Sequence, residues 1–256
     1  MLSASNARIK QLRRLSRRSE RSERRLFLAE GPNAVEAAIA SGAVAEVFAR
    51  PDALHLLPEL PDGLEPTLVD ERALKALSES VTPAGVVALC RSLDVPLQQA
   101  LSGRLVAICA DVNDPGNAGT VIRCADAAGA EGVVLAGDSV DLHNAKTIRA
   151  SAGSAFHLPI AQGGDPFEVV DAAKAAGLQV LATEAGGDLD LFAADEVLAR
   201  PTAWLFGNEA HGLAPELAEL ADHRVAIPIL GRAESLNLST AAAVCLYASA
   251  RAMMGV

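Results

Sequence analysis

A regular alternation of apolar strands and helices, from residue 105 to the end of the chain, constrains the fold more than any other feature. Strands this apolar, separated by helices, are typical of a parallel sheet that is covered on both faces. The pattern therefore predicts the α/β fold class, with a parallel-sheet domain. The predicted strands are 105–110, 131–136, 156–160, 178–182, 202–206 and 224–228, and the predicted helices are 118–128, 144–150, 166–176, 213–221 and 238–254.

The chain before residue 104 carries a shorter alternation that predicts a second, small α/β unit. Its strands are expected at 26–29, 44–49, 67–69 and 86–90. Residues 92–103 contain Pro96 and Gly103 between two predicted strands, so they are the best candidate for a linker. The predicted organisation is a basic N-terminal arm or helix (1–25), a small α/β domain (26–91), a linker (92–103) and a large domain (104–256).

Charge is distributed unevenly along the chain, whose net charge is −10. Residues 1–25 contain nine Lys or Arg side chains and two Glu side chains, so this segment carries +7 and the remainder −17. Ile9, Leu12 and Leu15 recur there at helical spacing, which predicts a short amphipathic helix that frays toward residue 25. A basic segment on an acidic body is typical of contact with an RNA backbone. A solvated helix face or a disordered tail is the alternative.

Two strands in the last third of the chain break into glycine and small polar residues. One break lies in residues 205–212, and the other follows Ile227 and leads into an alanine-rich helix. Glycine after a strand lets backbone groups approach a ligand without an intervening Cβ. Ligands of open α/β sheets bind just beyond the carboxyl ends of the strands. The two loops are therefore predicted to form two walls of one site.

Three short motifs occur in order in this part of the chain. The first is Asn117 with Arg123 six residues later, and the second is Gly207, Glu209 and Gly212. The third comprises Ile227, Pro228, Gly231, Ser235, Leu236, Asn237 and Ser239. Together they resemble the signature motifs of the SpoU/TrmH family of RNA ribose 2′-O-methyltransferases, in the SPOUT superfamily.

The resemblance implies S-adenosyl-L-methionine as the cofactor and RNA as the partner. Ribosomal RNA, most of all 23S, is favoured over transfer RNA, because members with an extra N-terminal domain more often modify it. A C-terminal trefoil knot, a homodimer that shares its active sites, and a ribosomal-protein-like N-terminal domain that binds the substrate are implied as well. Residues 27–42 and 78–89 resemble that domain. The alternatives are a transfer-RNA methyltransferase and a non-catalytic RNA-binding or ribosome-assembly factor on the same fold.

The cofactor-binding residues are expected at the ends of strands. The resemblance implies that backbone groups of Gly207, Ile227 and Leu236 hold the adenine and methionine parts of the donor. Thr183 follows another strand and is predicted to line the same pocket. Ordinary packing at a strand end is the alternative reading for these positions.

Five residues are predicted to act in catalysis: Arg123, Asn117, Glu209, Ser235 and Asn237. In the family, the residue that matches Arg123 is thought to activate the ribose hydroxyl. A guanidinium rarely gives up its proton, so the preferred role is to hold an RNA phosphate and stabilise charge on the 2′-oxygen. A structural salt bridge is the alternative. Asn117 is expected to orient Arg123, contact the ribose or cap its helix, and Glu209 to fix Arg123 or a loop. Ser235 and Asn237 are expected to hold the loop or the ribose, and Asn237 also to cap the last helix.

Other kinds of site and location are not predicted. No G-x-G-x-x-G follows a strand, which disfavours a dinucleotide site. The five histidines lack metal-ligand spacing, so no metal is expected. No apolar run reaches the roughly 18 residues of a membrane span, so no membrane partner is expected. The four cysteines are widely spaced in apolar segments, which predicts reduced thiols in a cytoplasmic protein.

Overall fold

The computed structural model describes residues 1–255, which divide into two compact units. Unit 1 consists of Met1–Leu93 and His143–His157. Unit 2 consists of Asp94–Leu142 and the chain from Leu158 onward. The predicted division placed 104–256 in one domain, so the observed division differs at residues 143–157, which belong to unit 1.

The helices and strands are numbered in chain order. The helices are α1 (Ala7–Arg13), α2 (Arg18–Arg24), α3 (Pro32–Ala40), α4 (Glu71–Leu77), α5 (Leu97–Ala100), α6 (Pro115–Ala127), α7 (Ala145–Ser151), α8 (Pro166–Ala175), α9 (Asp195–Leu198), α10 (Pro215–Ala218) and α11 (Leu238–Met254). The strands are β1 (Leu26–Glu30), β2 (Val44–Ala49), β3 (Pro66–Leu68), β4 (Val86–Arg91), β5 (Leu105–Ala110), β6 (Gly132–Ala136), β7 (Ile160–Gln162), β8 (Gln179–Thr183), β9 (Leu189–Asp190), β10 (Thr202–Phe206) and β11 (His223–Ala226). Short 3₁₀ turns lie at Arg14–Ser16, Pro51–Leu56, Ser154–Phe156 and Leu191–Ala193.

Unit 1 is a mixed four-stranded sheet with helices. Its strand order is β1-β4-β2-β3. The central strand β4 pairs antiparallel with β1 and β2, whereas β2 and β3 are parallel. Helix α7 packs against β1, which explains why this predicted helix of the large domain belongs to unit 1 instead.

The basic segment 1–25 is a folded part of unit 1, not a free arm. Ile9, Leu12 and Leu15 are at most 3% exposed and join α4 and the sheet in one hydrophobic core. The residues that were predicted to fray form α2, where Arg24 pairs with Glu20 one turn earlier at 2.9 Å. Burial of the apolar stripe outweighs the mutual repulsion of the cations, most of which lie on the solvent side, whereas Arg21 is buried.

Unit 2 is built on a seven-stranded sheet in which every strand pairing is parallel. This confirms the predicted fold class. The strand order is β7-β6-β5-β10-β8-β11-β9. The chain moves outward from β5 to β7 and then crosses to β8 on the other side. Such a reversal of direction is where open α/β sheets form their ligand crevices.

Four elements of unit 2 differ from the prediction. β7 begins at Ile160 instead of residue 156, because Gly153 turns the chain with a φ of 102° into the 3₁₀ turn. α10 covers only four residues of the predicted helix 213–221; Pro215 fixes its start, and Asp222 accepts a hydrogen bond from the N–H of Val180 at 2.7 Å, drawing the chain into β11. β9 and α9 are too short to produce a periodic signal.

The site is positioned by the neighbouring strands β10, β8 and β11 and by α11. Helix α11 packs against α6 and β10. The indole N–H of Trp204 donates to the Ser249 hydroxyl at 2.9 Å, and both residues are fully buried. Among residues 1–255, no helix has both the length and the hydrophobicity needed to cross a bilayer.

Candidate active site

A cavity of about 500 Å³ lies at the carboxyl ends of β8, β10 and β11. All four predicted cofactor-binding residues line it: Thr183, Gly207, Ile227 and Leu236. Of the predicted catalytic residues, Glu209 and Ser235 also line it. Each position directly ends or follows a strand or lies in the loop before α11, so the parallel sheet itself gathers residues that are far apart in sequence.

The loop after β10 closes on itself. The backbones of Asn208 and Gly212 exchange two hydrogen bonds of 2.9 Å each. A Cβ at Gly207 would lie 2.3 Å from the carbonyl carbon of Gly212, which no side chain tolerates. The side chain of Asn208 also donates to the carbonyl of Asp111 at 2.8 Å. Gly207 is therefore required by the loop's own backbone, a reason different from the expected close approach of a ligand.

Glu209 holds the chain at the start of α6. Its carboxylate accepts hydrogen bonds from the backbone N–H groups of Asn113 at 3.1 Å and Asp114 at 3.0 Å, and from the Asn117 amide at 3.1 Å. Partial burial raises the pKa of Glu209, but these hydrogen bonds outweigh burial and lower the pKa below its usual value. An ionised carboxylate occupied in this way is a poor proton acceptor. Glu209 was predicted to fix either Arg123 or a loop. Its observed hydrogen bonds are to Asn117 and the loop before it, and none is to Arg123.

Asn117 joins two of the motifs. Its side-chain oxygen accepts from the Asn237 amide at 3.0 Å, while its amide donates to Glu209. The structure thus gives Asn117 other partners than the expected Arg123. Asp114, not Asn117, caps α6 by accepting from the Asn117 N–H at 2.8 Å. Asn237 caps α11, as predicted, by accepting from the N–H of Ser239 at 2.9 Å.

Arg123 stands apart from the other site residues. It is exposed on α6 and does not line the cavity. Within residues 1–255, no carboxylate lies within 4.0 Å of its guanidinium, so the alternative of a structural salt bridge is not observed. The cavity of one chain is therefore assembled without the residue predicted to be most important for catalysis.

The charge of the cavity was not anticipated from the sequence. Glu184 and Glu234 line it together with Glu209, and its lining contains no Lys or Arg. Glu184 directly follows the predicted residue Thr183, and Glu234 directly precedes the predicted residue Ser235. Their neighbours in sequence could therefore have indicated that both line the cavity. An electronegative cavity favours a ligand with positive charge and disfavours a polyphosphate.

Covalent catalysis by a thiol has no support in the described residues. Burial and the charge of Glu209 raise the pKa of Cys109 to about 12. Burial also raises the pKa of Cys90 to about 12 and raises the pKa values of Cys245 and Cys124. Only a thiolate is a good nucleophile, so these side chains are inert. Across residues 1–255, no group of three or more His, Cys, Asp or Glu side chains is arranged to hold a metal ion.

A parallel sheet with a cavity at its strand ends defines an α/β protein with a ligand site in the crevice of its sheet. The SpoU rRNA Methylase family model matches residues 104–247, and the MRM3-like substrate binding domain matches residues 6–88. The chain belongs to the SpoU rRNA methylase family. This confirms the resemblance stated from the motifs, and family membership implies the trefoil knot in the C-terminal part.

Individual relatives match along nearly the whole chain. 23S rRNA (guanosine(2553)-2′-O)-methyltransferase RlmP of Bacillus subtilis is 35% identical over 248 residues, which are 96% of each chain. The solved SpoU methyltransferase AviRb from Streptomyces viridochromogenes has a TM-score of 0.84 at 31% identity and covers 98% of both chains. The AdoMet-bound rRNA methyltransferase from Sinorhizobium meliloti has a TM-score of 0.83 at 33% identity and covers 98% of this chain and 96% of its own.

Proposed function

We propose that this protein transfers a methyl group from S-adenosyl-L-methionine to the 2′-hydroxyl of a ribose in 23S ribosomal RNA. The observation that carries the proposal is the electronegative cavity lined by Gly207, Ile227 and Leu236 at the strand ends. The names of two relatives, RlmP of Bacillus subtilis and a 23S rRNA (uridine(2479)-2′-O)-methyltransferase of Streptomyces viridochromogenes, support the substrate class. The relatives solved with AdoMet support the cofactor.

The cavity residues fit this cofactor. S-adenosyl-L-methionine supplies an electrophilic methyl group on a sulfonium that carries positive charge. Glu184 and Glu234 supply negative charge to the lining, while Ile227 and Leu236 offer apolar surface and main-chain groups for the adenine. Thr183, which donates to the carbonyl of Leu205 at 3.4 Å, completes the wall from β8.

We assign to Arg123 the activation of the ribose 2′-hydroxyl. Its guanidinium holds an RNA phosphate and stabilises the negative charge that develops on the 2′-oxygen. The hydrogen bonds among Asn117, Glu209 and Asn237 hold the loops before α6 and α11 in fixed positions relative to each other. Ser235 faces the cavity, where its hydroxyl contacts the ribose. The protein works in the cytoplasm on ribosomal RNA, consistent with its four free cysteines.

The functional form is a homodimer in which each Arg123 serves the cavity of the other subunit. The support is that Arg123 does not line the cavity of its own chain. To test this, Arg123→Ala and Leu236→Arg proteins, each inactive, are mixed under conditions of subunit exchange. In a two-fold dimer with shared sites, about a quarter of the sites regain activity. A mixture without activity contradicts sharing.

The test of the function is methyl transfer from radiolabelled donor to unmodified 23S ribosomal RNA and to transfer RNA. Label is expected in the ribosomal RNA at a bond that resists alkali, because a 2′-O-methyl group blocks cleavage there. Arg123→Ala lowers kcat by about 10²–10³-fold, the effect of losing one preorganised charge in a transition state. Arg17→Ala, an exposed arginine in unit 1, serves as the control. Label only in transfer RNA reassigns the substrate, and failure to bind the donor indicates a non-catalytic RNA-binding factor.

A further inference from the structure

Unit 1 contains a pocket of about 540 Å³ that no residue of the three catalytic motifs lines. Its walls come from α1, the turn at Arg14–Ser16, α2, β1, α4 and residues 143–145, all of which belong to unit 1. The volume lies in the range of small-ligand sites. Most of its lining lies within residues 6–88, which match the MRM3-like substrate binding domain, and the three catalytic motifs give the pocket itself no role.

Three unpaired cations surround the pocket. Arg13, Arg72 and Lys75 line it and are exposed, and within residues 1–255 no carboxylate lies within 4.0 Å of them. Arg72 and Lys75 are three residues apart on α4, so they project from the same face. In a chain of net charge −10, three cations without a partner around one concavity indicate a site for an anion.

The floor of the pocket is apolar. Leu15 and Leu77 are 3% and 4% exposed, and Leu28 and Ala76 are half-buried beside them. A cationic rim over an apolar floor suits a ligand with an anionic group on a flat or apolar body. An unpaired nucleotide has this form, with a phosphate outside and a base and ribose within.

Glu30, which lines one wall of the pocket, is already occupied by hydrogen bonds. Glu30 accepts hydrogen bonds from the hydroxyls of Ser78 and Ser80, from Arg149, and from the N–H of Glu79 at 3.0 Å. Its carboxylate therefore leaves the three cations unneutralised. Glu79, the other acidic lining residue, is exposed and forms no ion pair with them.

Arg21 holds the opposite wall. Its guanidinium is buried and donates to the carbonyls of Leu15 and Ser16 at 2.9 Å each. The turn that carries Leu15 is thereby pinned beneath α2. Together with the anchoring of residues 78–80 by Glu30, this makes the pocket preformed, which lowers the entropic cost of ordering it around a ligand.

We propose that this pocket binds one unpaired nucleotide of the RNA substrate, with its phosphodiester held by Arg13, Arg72 and Lys75. The inference rests on the proposed function, which supplies RNA as the substrate, and deepens it by assigning a second contact point to named residues of unit 1. The pocket positions the RNA and takes no part in the methyl transfer.

The test compares two triple variants of the full-length protein. The pocket variant carries Arg13→Gln, Arg72→Gln and Lys75→Gln. The matched control carries Lys10→Gln, Arg17→Gln and Arg18→Gln, which remove the same charge from exposed positions of unit 1 outside the pocket. Affinity for a 23S ribosomal RNA fragment is measured as a function of salt, together with donor affinity, kcat and KM. Far-ultraviolet circular dichroism checks that both variants fold.

The pocket variant is expected to bind the RNA on the order of tenfold more weakly, while the control stays within about twofold. The slope of log affinity against log salt falls by about 0.7, as neutralisation of one phosphodiester on a single strand requires. KM for RNA rises, whereas kcat and donor affinity stay unchanged. Equal weakening by both variants, or weakening by neither, overturns the proposal.

Two further RNA ligands sharpen the assignment. A short single-stranded oligonucleotide is expected to lose affinity for the pocket variant, and a fully paired duplex is not; equal losses overturn the assignment to an unpaired nucleotide. Adenosine 5′-monophosphate is expected to bind weakly, and binding as tight as the oligonucleotide's identifies a small-molecule site instead. Methyl transfer by the unaltered protein reports on the proposed function separately, because these binding comparisons do not depend on it.

Discussion

The two units each contain a cavity of similar size and opposite charge. The cavity of unit 2, about 500 Å³, is lined by three carboxylates and by no Lys or Arg. The pocket of unit 1, about 540 Å³, is lined by four Lys or Arg side chains, and its two carboxylates leave three of these cations unpaired. The two volumes therefore do not distinguish the ligands of the two sites. The charge of the lining does distinguish them, since the unit 2 cavity suits a sulfonium and the unit 1 pocket suits a phosphodiester.

The two cavities are also built differently. The unit 2 cavity is made by backbone turns at strand ends, where Gly207 leaves no space for a side chain. The unit 1 pocket is made by helices packed through side chains, with Glu30 and Arg21 holding its edges. The first is therefore sensitive to a single added methyl group, and the second to the loss of a charge. Four predictions test this contrast, from the largest expected effect to the smallest.

The Gly207→Ala variant tests the role of backbone in the unit 2 cavity. Its Cβ would meet the backbone of Gly212 and Leu213 at 2.3 and 2.4 Å, so the free energy of unfolding is expected to fall by about 3 kcal/mol. Donor binding should be lost with it. In Gly231→Ala, nothing lies within 4 Å of the new Cβ, and the change should stay below about 0.5 kcal/mol. Urea unfolding and calorimetric titration measure both; equal effects contradict the contrast.

The Glu30→Gln variant tests the charge that anchors the unit 1 pocket. Removing the anion leaves Arg149 without its partner, so the free energy of unfolding is expected to fall by about 2 kcal/mol at neutral pH. Burial raises the pKa of Glu30, but the hydrogen bonds from Ser78, Ser80 and Glu79 and the charge of Arg149 lower it overall.

The sign of the pH dependence follows from that lowered pKa. Glu30 stabilises the fold at pH values above its ordinary pKa of 4.5, and this contribution disappears as the pH falls through the lower folded value. Urea unfolding at neutral and acidic pH should therefore show a smaller loss of stability on acidification in Glu30→Gln than in the unaltered protein. An identical pH dependence in the two proteins would show that Glu30 does not anchor the loop.

Salt should separate the two sites without any mutation. Raising salt from about 50 to about 200 mM is expected to weaken RNA binding at least about sevenfold, because the two proposed phosphate contacts, at Arg123 and in the unit 1 pocket, release counterions. Donor binding should change less than about twofold over the same range, because the donor carries one net positive charge and is held mainly by apolar and main-chain contacts. Filter binding and calorimetry give the two affinities. A donor affinity that falls as steeply as the RNA affinity contradicts the division of charge.

The Glu234→Gln variant tests whether the cavity's charge matters for the donor. Glu234 is exposed, so the expected loss of donor affinity is only about threefold. Affinity for S-adenosylhomocysteine, which lacks the sulfonium charge, should remain unchanged. Glu216→Gln, an exposed carboxylate outside the cavity, is the control. Equal losses for the two ligands would show that Glu234 acts on the loop and not through charge.

Long, strongly patterned elements were predictable from sequence. Strands β5 and β10 and helix α11 lie where the apolar pattern predicts them. The strand-end positions Thr183, Gly207, Ile227 and Leu236 meet in one cavity, because parallel strands end at the same edge of a sheet. Short elements such as β9 were missed, since two residues carry no period. The catalytic roles assigned to the site residues stay predictions.

The sequence by itself determined the α/β class, the motifs and the strand-end location of the site, because local periodicity and glycine placement act over a few neighbouring residues. Only the tertiary structure decided the partners of Glu209, the charge of the cavity lining and the return of residues 143–157 to unit 1. It also decided that cations near residue 13 and near residue 72 face one pocket. These features join residues that are distant along the chain, and only the packing of the core brings them within reach of one another.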